Sequence, residues 1–329
     1  MAGRVEAICI SARRGIPKSA RQNARLRAEH GIEDDAHAGL DHRQVSILAA
    51  DDIESFKHGS GLNLAPGAFA ENLVVSGLDL AALGLGSRLR LGSDVVLSIS
   101  QLGKVCHSRC AIFEQTGDCI MPRLGLFARV SVGGSLAVGD SALVEEIVER
   151  SVYQAVVLTV SDRCAAGTAR DTAGPAVVNL LRESLAAHTY ATEIIPDGQA
   201  SVAERLRHFA DGRGIDLIVA VGGTGPAPRD QTPEAVRDVV ERLTPGFDEA
   251  MRAASRASTP LAMLSRACSG IRGSTLILSV PGSERAAVEN LAAIAAAVPH
   301  CLAKLRGDPE DCGRPSQAAT AFAAGKGEI

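Results

Sequence analysis

Two domains of different character are predicted for this chain. The first is mostly β and barrel-like; the second is an α/β three-layer sandwich with a mainly parallel sheet. Three observations carry this reading. Short β-rich segments separated by glycine fill the first half, and apolar strands alternate with amphipathic helices in the second. A length of 329 residues also accommodates two cores. The boundary is expected near Val144-Glu145-Glu146-Ile147-Val148-Glu149-Arg150, a charged join without Pro or Gly that reads as short and stiff. The domains are therefore placed at 1–147 and 148–308, with a polar, Ala/Gly-rich and flexible tail over 309–329.

In the first half, strands are expected over 5–11, 45–48, 87–91, 95–100 and 127–132, with turns at Gly84, Gly92, Gly133-Gly134 and Gly139-Asp140. One helix is expected over 50–57. From Tyr153 the apolar run 155–160 is a strand, 174–187 a helix and 193–195 a short strand. Val202, Leu206 and Phe209 fall at helical spacing within 201–211. A strand over 216–221, a helix over 233–243, a strand over 275–280 and a long Ala-rich helix over 285–305 follow. Continuous apolar strands imply a sheet covered on both faces, with ligands bound beyond the carboxyl ends of its strands.

Composition narrows the function classes. Hydrophobic residues make up 46% of the chain and charged ones 22%, as in a globular protein with a sizeable core. A net charge of −4 gives no basic field for nucleic acid, and the absence of Trp removes one stacking platform. No apolar run reaches the roughly 18–20 residues of a membrane span. The first residues lack the pattern of a secretory signal, so a cytoplasmic protein is expected. The eight cysteines show no paired CxxC pattern of a structural zinc site.

The most informative run is Val219-Ala220-Val221-Gly222-Gly223-Thr224-Gly225, followed by Arg229-Asp230. Glycines at the end of a buried strand let amides approach a phosphate, and Asp230 stands where it can hold a divalent cation beside it. Thr232 is read as the cap of the next helix, with Pro233 in its first turn. Other strand ends carry Ser161-Asp162-Arg163, Pro196-Asp197-Gly198 and Pro281-Gly282-Ser283, with Ser283 placed to cap a helix. Alone, Asp197 reads as a turn residue and Arg229 as a surface arginine. Together, these strand ends describe a nucleotide-phosphate site.

Residues 153–306 resemble the molybdopterin adenylyltransferase family of the MogA/MoaB type. The resemblance rests on 158–163, 171–175, 222–230, Thr232-Pro233-Glu234-Ala235, 244–247, 264–266, 270–273 and 281–283. It implies transfer of AMP from ATP to the terminal phosphate of molybdopterin, with Mg²⁺ held by Asp197 and Asp230. Phosphate and pterin contacts are implied for Ser161, Asp162, Gly222, Gly223, Thr224, Gly225, Pro281, Gly282 and Ser283. The resemblance also implies a homo-oligomer, a trimer first, and a molybdate-insertion enzyme downstream.

In the first half, Gly103-Lys104-Val105-Cys106-His107-Ser108-Arg109-Cys110 sets thiols among cations, a setting that favours thiolate. The opposing reading makes both cysteines small core hydrophobes. His37 and His42 offer a metal, an anion or a hydrogen-bonded turn. These runs, with Glu71-Asn72-Leu73, 86–89, 117–122, 125–130 and Gly139-Asp140, resemble a stand-alone MOSC domain over roughly residues 3–144. That resemblance implies handling of molybdenum cofactor or sulfur, with molybdenum held by Cys106 or Cys110 and without pyridoxal phosphate. Asp34 stands where the family has glycine; if the backbone there is left-handed, aspartate tolerates it. Two further readings stay open: a non-catalytic cofactor carrier, and a MOSC-type reductase of N-hydroxylated compounds with a cofactor-servicing second half.

Overall fold

A computed structural model describes residues 3–14, 16–39, 42–103 and 111–309. The chain divides into two compact units, Met1–Val152 and Tyr153–Ile329. Residues 148–152 belong to the first unit because Val148 is buried and Glu149 bridges Leu83. Most of the expected tail, from 310 onward, lies outside the described residues.

Strands of the first unit are, in chain order, β1 (Gly3–Ile10), β2 (Ser19–Arg21), β3 (Asn23–Arg27), β4 (Gly31–Ile32), β5 (Val45–Ala49), β6 (Leu73–Ser76), β7 (Arg88–Leu91), β8 (Val95–Leu102), β9 (Leu126–Val132), β10 (Gly134–Ala137) and β11 (Ser141–Glu146). The order β11-β7-β8-β9-β5-β6-β1 closes on itself where β1 pairs with β11, giving a seven-stranded barrel with β2 added outside β1. Closure removes the unpaired edges of an open sheet. Helix α1 (Ala50–Ser60) follows β5 and ends on Gly61, whose φ of 70° permits the left-handed cap. Two short helices, α2 (Ala111–Thr116) and α3 (Met121–Leu124), precede β9. Asp34 has φ 65°, the left-handed geometry that aspartate tolerates.

A buried ion pair pins the loops above this barrel. Lys18 Nζ lies 2.6 and 2.8 Å from the two carboxylate oxygens of Asp35, which also accept the amides of Ser11 and His37. Burial pushes the Asp35 pKa up, but hydrogen bonds from His37, Lys18 and Ser11 outweigh it and hold the carboxyl well below its ordinary range. His37 Nδ1 sits 3.1 Å from Lys18 Nζ, and His42 Nε2 sits 2.7 Å from Gln101 Oε1. The two histidines thus serve separate hydrogen-bonded turns. Among the described residues, no group of three or more His, Cys, Asp or Glu side chains is arranged to hold a metal.

The second unit contains β12 (Gln154–Val160), α4 (Asp162–Ala165), α5 (Ala173–Leu185), β13 (His188–Ile195), α6 (Gln199–Ala210) and β14 (Leu217–Val221). After these come α7 (Thr232–Val239), β15 (Arg242–Leu243), α8 (Pro245–Ser258), β16 (Gly270–Arg272), β17 (Thr275–Val280), α9 (Glu284–Ile294) and α10 (Val298–Leu305). The sheet order is β13-β12-β14-β17-β16-β15. Its first four strands run parallel, while β16 and β15 are antiparallel to their neighbours. The sheet is therefore mixed, which corrects the simpler expectation of a mainly parallel one. Arg272 pairs with Thr275 across Gly273 (φ 55°), and a two-residue connection of this kind joins only antiparallel strands.

Alternate residues of β12, β14 and β17 pack with α5, α8, α9 and α10 in one core on one side of the sheet. Helices α6 and α7 cover the other side, where they meet β14 and β17. The helix expected over 285–305 is two helices, bent by 65° at the break between α9 and α10, where Pro299 suits the first turn of a new helix. The helix expected over 233–243 stops at Val239, and Arg242 and Leu243 become an edge strand. Among the described residues, no single helix is long and apolar enough to cross a membrane.

Candidate active site

Parallel strands β12, β14 and β17 end together, and their C-terminal turns build a cavity of about 540 Å³. Ser161, Asp162, Asp197, Gly222, Gly223, Asp230, Gly282 and Ser283, all singled out in the sequence, line it. Gly222 closes on Gly282: a Cβ on Gly282 would stand 3.2 Å from the Gly222 Cα, and one on Gly222 would stand 2.4 Å from the Val160 carbonyl. Glycine is required at position 222 by this approach and by its φ of 110°, while at position 282 a Cβ would be a tight fit. The Gly222 amide is used within the sheet, donating to Val280 O at 2.9 Å. Among the described residues, no hydrogen bond engages the amides of Gly223, Thr224 or Gly225.

Thr224, Gly225 and Pro281 do not line this cavity. They face a second one of about 300 Å³, bordered by Leu261, Leu264 and Asn290. The glycine loop is thus a wall between two cavities, because its chain crosses from one side to the other at Thr224.

Asp197 is positioned by a reciprocal pair across the tips of β12 and β13. Its Oδ2 accepts the Asp162 amide at 2.9 Å, and Asp162 Oδ1 accepts the Asp197 amide at 3.0 Å. Asp197 Oδ1 is turned toward Gly223, 3.4 Å from the point where a Cβ on that glycine would stand. Asp230 closes a tight turn: its Oδ2 accepts the Ala227 amide at 3.1 Å while its own amide donates to Ala227 O at 2.9 Å. Ser161 caps α4 by accepting the Cys164 amide, but Ser283 makes no side-chain cap bond to α9. Thr232 is not the cap of α7 either; it is the first helical residue, and Gln231 precedes it without a capping bond. The expected caps at Ser283 and Thr232 are corrected accordingly.

Arg266 is the positioning residue that local sequence reading passes over. Its guanidinium donates to Gly225 O at 2.9 Å and to Glu234 Oε1 at 2.6 Å, and it also contacts Asp230 O. One side chain thereby ties the loop, the Asp230 turn and α7 together. Partial burial pushes the Glu234 pKa up, but the Arg266 hydrogen bonds lead the opposing causes and the net shift is downward. The only available signal was the cationic Leu264-Ser265-Arg266 segment, whose target lies far away in sequence.

Five carboxylates (Asp162, Asp171, Asp197, Asp230, Glu284) and three guanidiniums (Arg163, Arg170, Arg229) line the larger cavity. A polyphosphate entering such a site needs a cation to offset the acidic excess. The donor set fits Mg²⁺, which keeps several waters and takes one or two carboxylates plus substrate phosphates rather than a full protein cage. Asp197 and Asp230 would hold it.

Gly223→Ala tests the loop geometry. The new Cβ would stand 2.3 Å from Thr232 Oγ1 at a backbone φ of 63°. The second unit is expected to lose about 1–3 kcal/mol in urea unfolding. Wild-type stability in this variant would contradict the geometry.

Both halves of the chain are similar to known protein families. A probable molybdopterin binding domain matches residues 156–300, and a MOSC domain matches residues 34–142. The molybdopterin adenylyltransferase of Helicobacter pylori strain J99 is 39% identical over 153 residues, covering 46% of this chain and 87% of that protein. The Drosophila melanogaster molybdenum cofactor synthesis protein cinnamon is 38% identical over 173 residues, 53% of this chain and 29% of cinnamon. The chain therefore spans less than a third of that longer relative. Among solved structures, the molybdopterin biosynthesis enzyme MoaB of Thermus thermophilus is 41% identical, covering 49% of this chain and all of that one, with a TM-score of 0.46. Through its second unit the chain belongs to the molybdopterin adenylyltransferase family of the MogA/MoaB type, and it carries a MOSC domain ahead of that unit.

Proposed function

We propose that the second unit transfers AMP from Mg²⁺-bound ATP to the terminal phosphate of molybdopterin, releasing pyrophosphate. The observation that carries this reading is the convergence of Asp197, Asp230, Gly223 and Ser283 on one cavity at the ends of parallel strands. A pterin phosphate oxygen attacks the α-phosphorus of ATP as the bond to the β-phosphate oxygen breaks. The nucleophile is already an anion, so no strong general base is required. The barrier lies in bringing anions together and in charge accumulating on pyrophosphate. Mg²⁺ supplies the neutralising charge when bound. Asp197 and Asp230 orient it, Arg163 and Arg170 face the polyphosphate, and Ser161, Asp162, Gly222, Gly223, Gly282 and Ser283 complete the phosphate contacts. Thr224, Gly225 and Pro281 are assigned to the ring end of a substrate in the smaller cavity.

The first unit is proposed to handle molybdenum cofactor or sulfur through Cys106 or Cys110, both outside the described residues. A cytoplasmic homotrimer, delivering adenylylated pterin to a molybdate-insertion enzyme, is part of the same proposal. A carrier would need the glycine loop but not two cation-holding carboxylates, and that favours chemistry. The test is pyrophosphate release by the full chain from ATP. It is expected only when molybdopterin and Mg²⁺ are both present, and to stop on chelation. Release without molybdopterin, or none with all components, would contradict the reading.

A further inference from the structure

Asn290 stands in the middle of α9 with 2% of its surface exposed, and it lines the smaller cavity. Its Nδ2 donates to Ser255 Oγ of α8 at 2.6 Å and to Ala286 O, one turn back in its own helix, at 2.8 Å. A carbonyl only accepts, so the Ala286 bond fixes which amide atom is the nitrogen. Both amide hydrogens are thereby spent, and the group cannot flip without setting its oxygen against that carbonyl. Among the described residues, nothing donates to Asn290 Oδ1. That oxygen is not sealed within the packed interior either, so it opens on the cavity that Asn290 lines. The tie to α8 explains the nitrogen. It does not explain the oxygen, which is held unpaired at a cost.

The space in front of this oxygen suits a ring. Pro226, Pro281, Leu261 and Leu264 give the cavity apolar walls, and its volume of about 300 Å³ lies at the small end of the range for ligand pockets. One bicyclic heteroaromatic ring fits there; a whole nucleotide does not. The charged groups of the wall have commitments of their own. Glu289 Oε1 accepts from Ser258 and Arg285, and Arg252 Nη1 donates to Ala267 O at 3.2 Å. Asn290 Oδ1 is uncharged and only accepts, so it calls for a neutral N–H donor on the ring edge. An exocyclic amino group satisfies it. A ring carbonyl in the same place would set two acceptors against each other.

We propose that Asn290 is a specificity-determining residue of this site: its fixed Oδ1 selects a ring that carries an exocyclic amino group over one that carries oxygen there. Both substrates of the proposed reaction offer such a group, adenine at its 6-position and the pterin at its 2-position. The step is recognition only, and no bond is made or broken. The inference rests on assigning the smaller cavity to a substrate ring, and it names the ring group that is read.

Each source has a probe pair that differs at that group. Calorimetry of the full chain compares ATP with inosine triphosphate in the presence of Mn²⁺ and, separately, pterin with lumazine, its 2-oxo counterpart. In the wild type, at least one pair is expected to show about tenfold tighter binding of the amino form, because the oxo form leaves a buried acceptor unpaired. A preference within the nucleotide pair assigns the cavity to adenine; one within the other pair assigns it to the pterin. Asn290→Leu is expected to remove that preference. The ratio separates recognition from packing, since a loosened α8–α9 contact weakens both members of a pair alike. Equal binding within both pairs in the wild type overturns the inference, as does a preference that survives in Asn290→Leu. The wild-type ratios need no variant, so they decide even where Asn290→Leu does not fold. Failure of the wild type to bind ATP and pterin at all overturns the assignment of the cavities to substrates, and the two failures are thereby distinguishable.

Discussion

Asp230→Asn and Asp197→Asn are each expected to lower pyrophosphate release by about 100- to 1,000-fold, the scale of removing one charge-stabilising group from a transition state. Pterin binding should persist. Both substitutions keep the side-chain shape and one acceptor oxygen. Asparagine can still take the Ala227 amide at position 230 and the Asp162 amide at position 197. What disappears is the negative charge. In Asp197→Asn the amide nitrogen also faces Gly223, where it repels a cation. Neither change buries a new unpaired charge, so unfolding curves should match the wild type. Unchanged turnover in both variants, measured by coupled pyrophosphate assay, would remove the proposed metal role.

Lys18→Met is expected to destabilise the first unit by about 3–5 kcal/mol, because it leaves a carboxylate buried without its cation. The side chains of Lys18 and Asp35 are 1% and 0% exposed, so solvent does not screen their interaction. Asp35 also serves two loop amides, and losing the ammonium strains that whole turn. The pH dependence follows in sign. Asp35 is held below the ordinary carboxylate range, so the stability it contributes is present above that range and lost as pH falls through its lowered value. Urea unfolding of the variant should also show a weaker acid limb than the wild type. A loss below ~1 kcal/mol would mean that the pair is replaceable packing.

Sequence patterning revealed much of the second unit. β12, β14 and β17 are buried along their length, so they appear as largely apolar runs, and the glycines that follow β14 and β17 mark the site. β13 is an edge strand of eight residues, most of them partly exposed, and its polar His188, Thr189 and Thr192 hide all but residues 193–195. The β15–β16 pair depends on partners supplied by the fold, since two- and three-residue strands carry no periodicity of their own. Pro299 was visible, but the surrounding alanines continue a helical pattern across the bend. In the barrel, β6 and β11 close the circuit through long-range pairing that local pattern does not encode.

The site was legible residue by residue but not in its partition. Asp197, Asp230 and the glycines could be named because turn chemistry restricts those positions to few residue types. That Thr224 faces a different cavity from Gly223 depends on the direction in which the chain crosses the sheet edge. Thr232 presents as a cap in the sequence because Thr-Pro-Glu is an ordinary helix start, whereas the fold packs its hydroxyl against Gly223. Arg266 joins segments separated by long stretches of chain, and no local rule anticipates such a tie.

The most direct measurement is a crystal structure of the full chain with a non-hydrolysable ATP analogue and Mn²⁺, the ion located by anomalous scattering. The account predicts the polyphosphate against Gly223 and the ion at about 2.1–2.3 Å from carboxylate oxygens of Asp197 or Asp230. An analogue bound elsewhere, or an ion that touches neither aspartate, would contradict it.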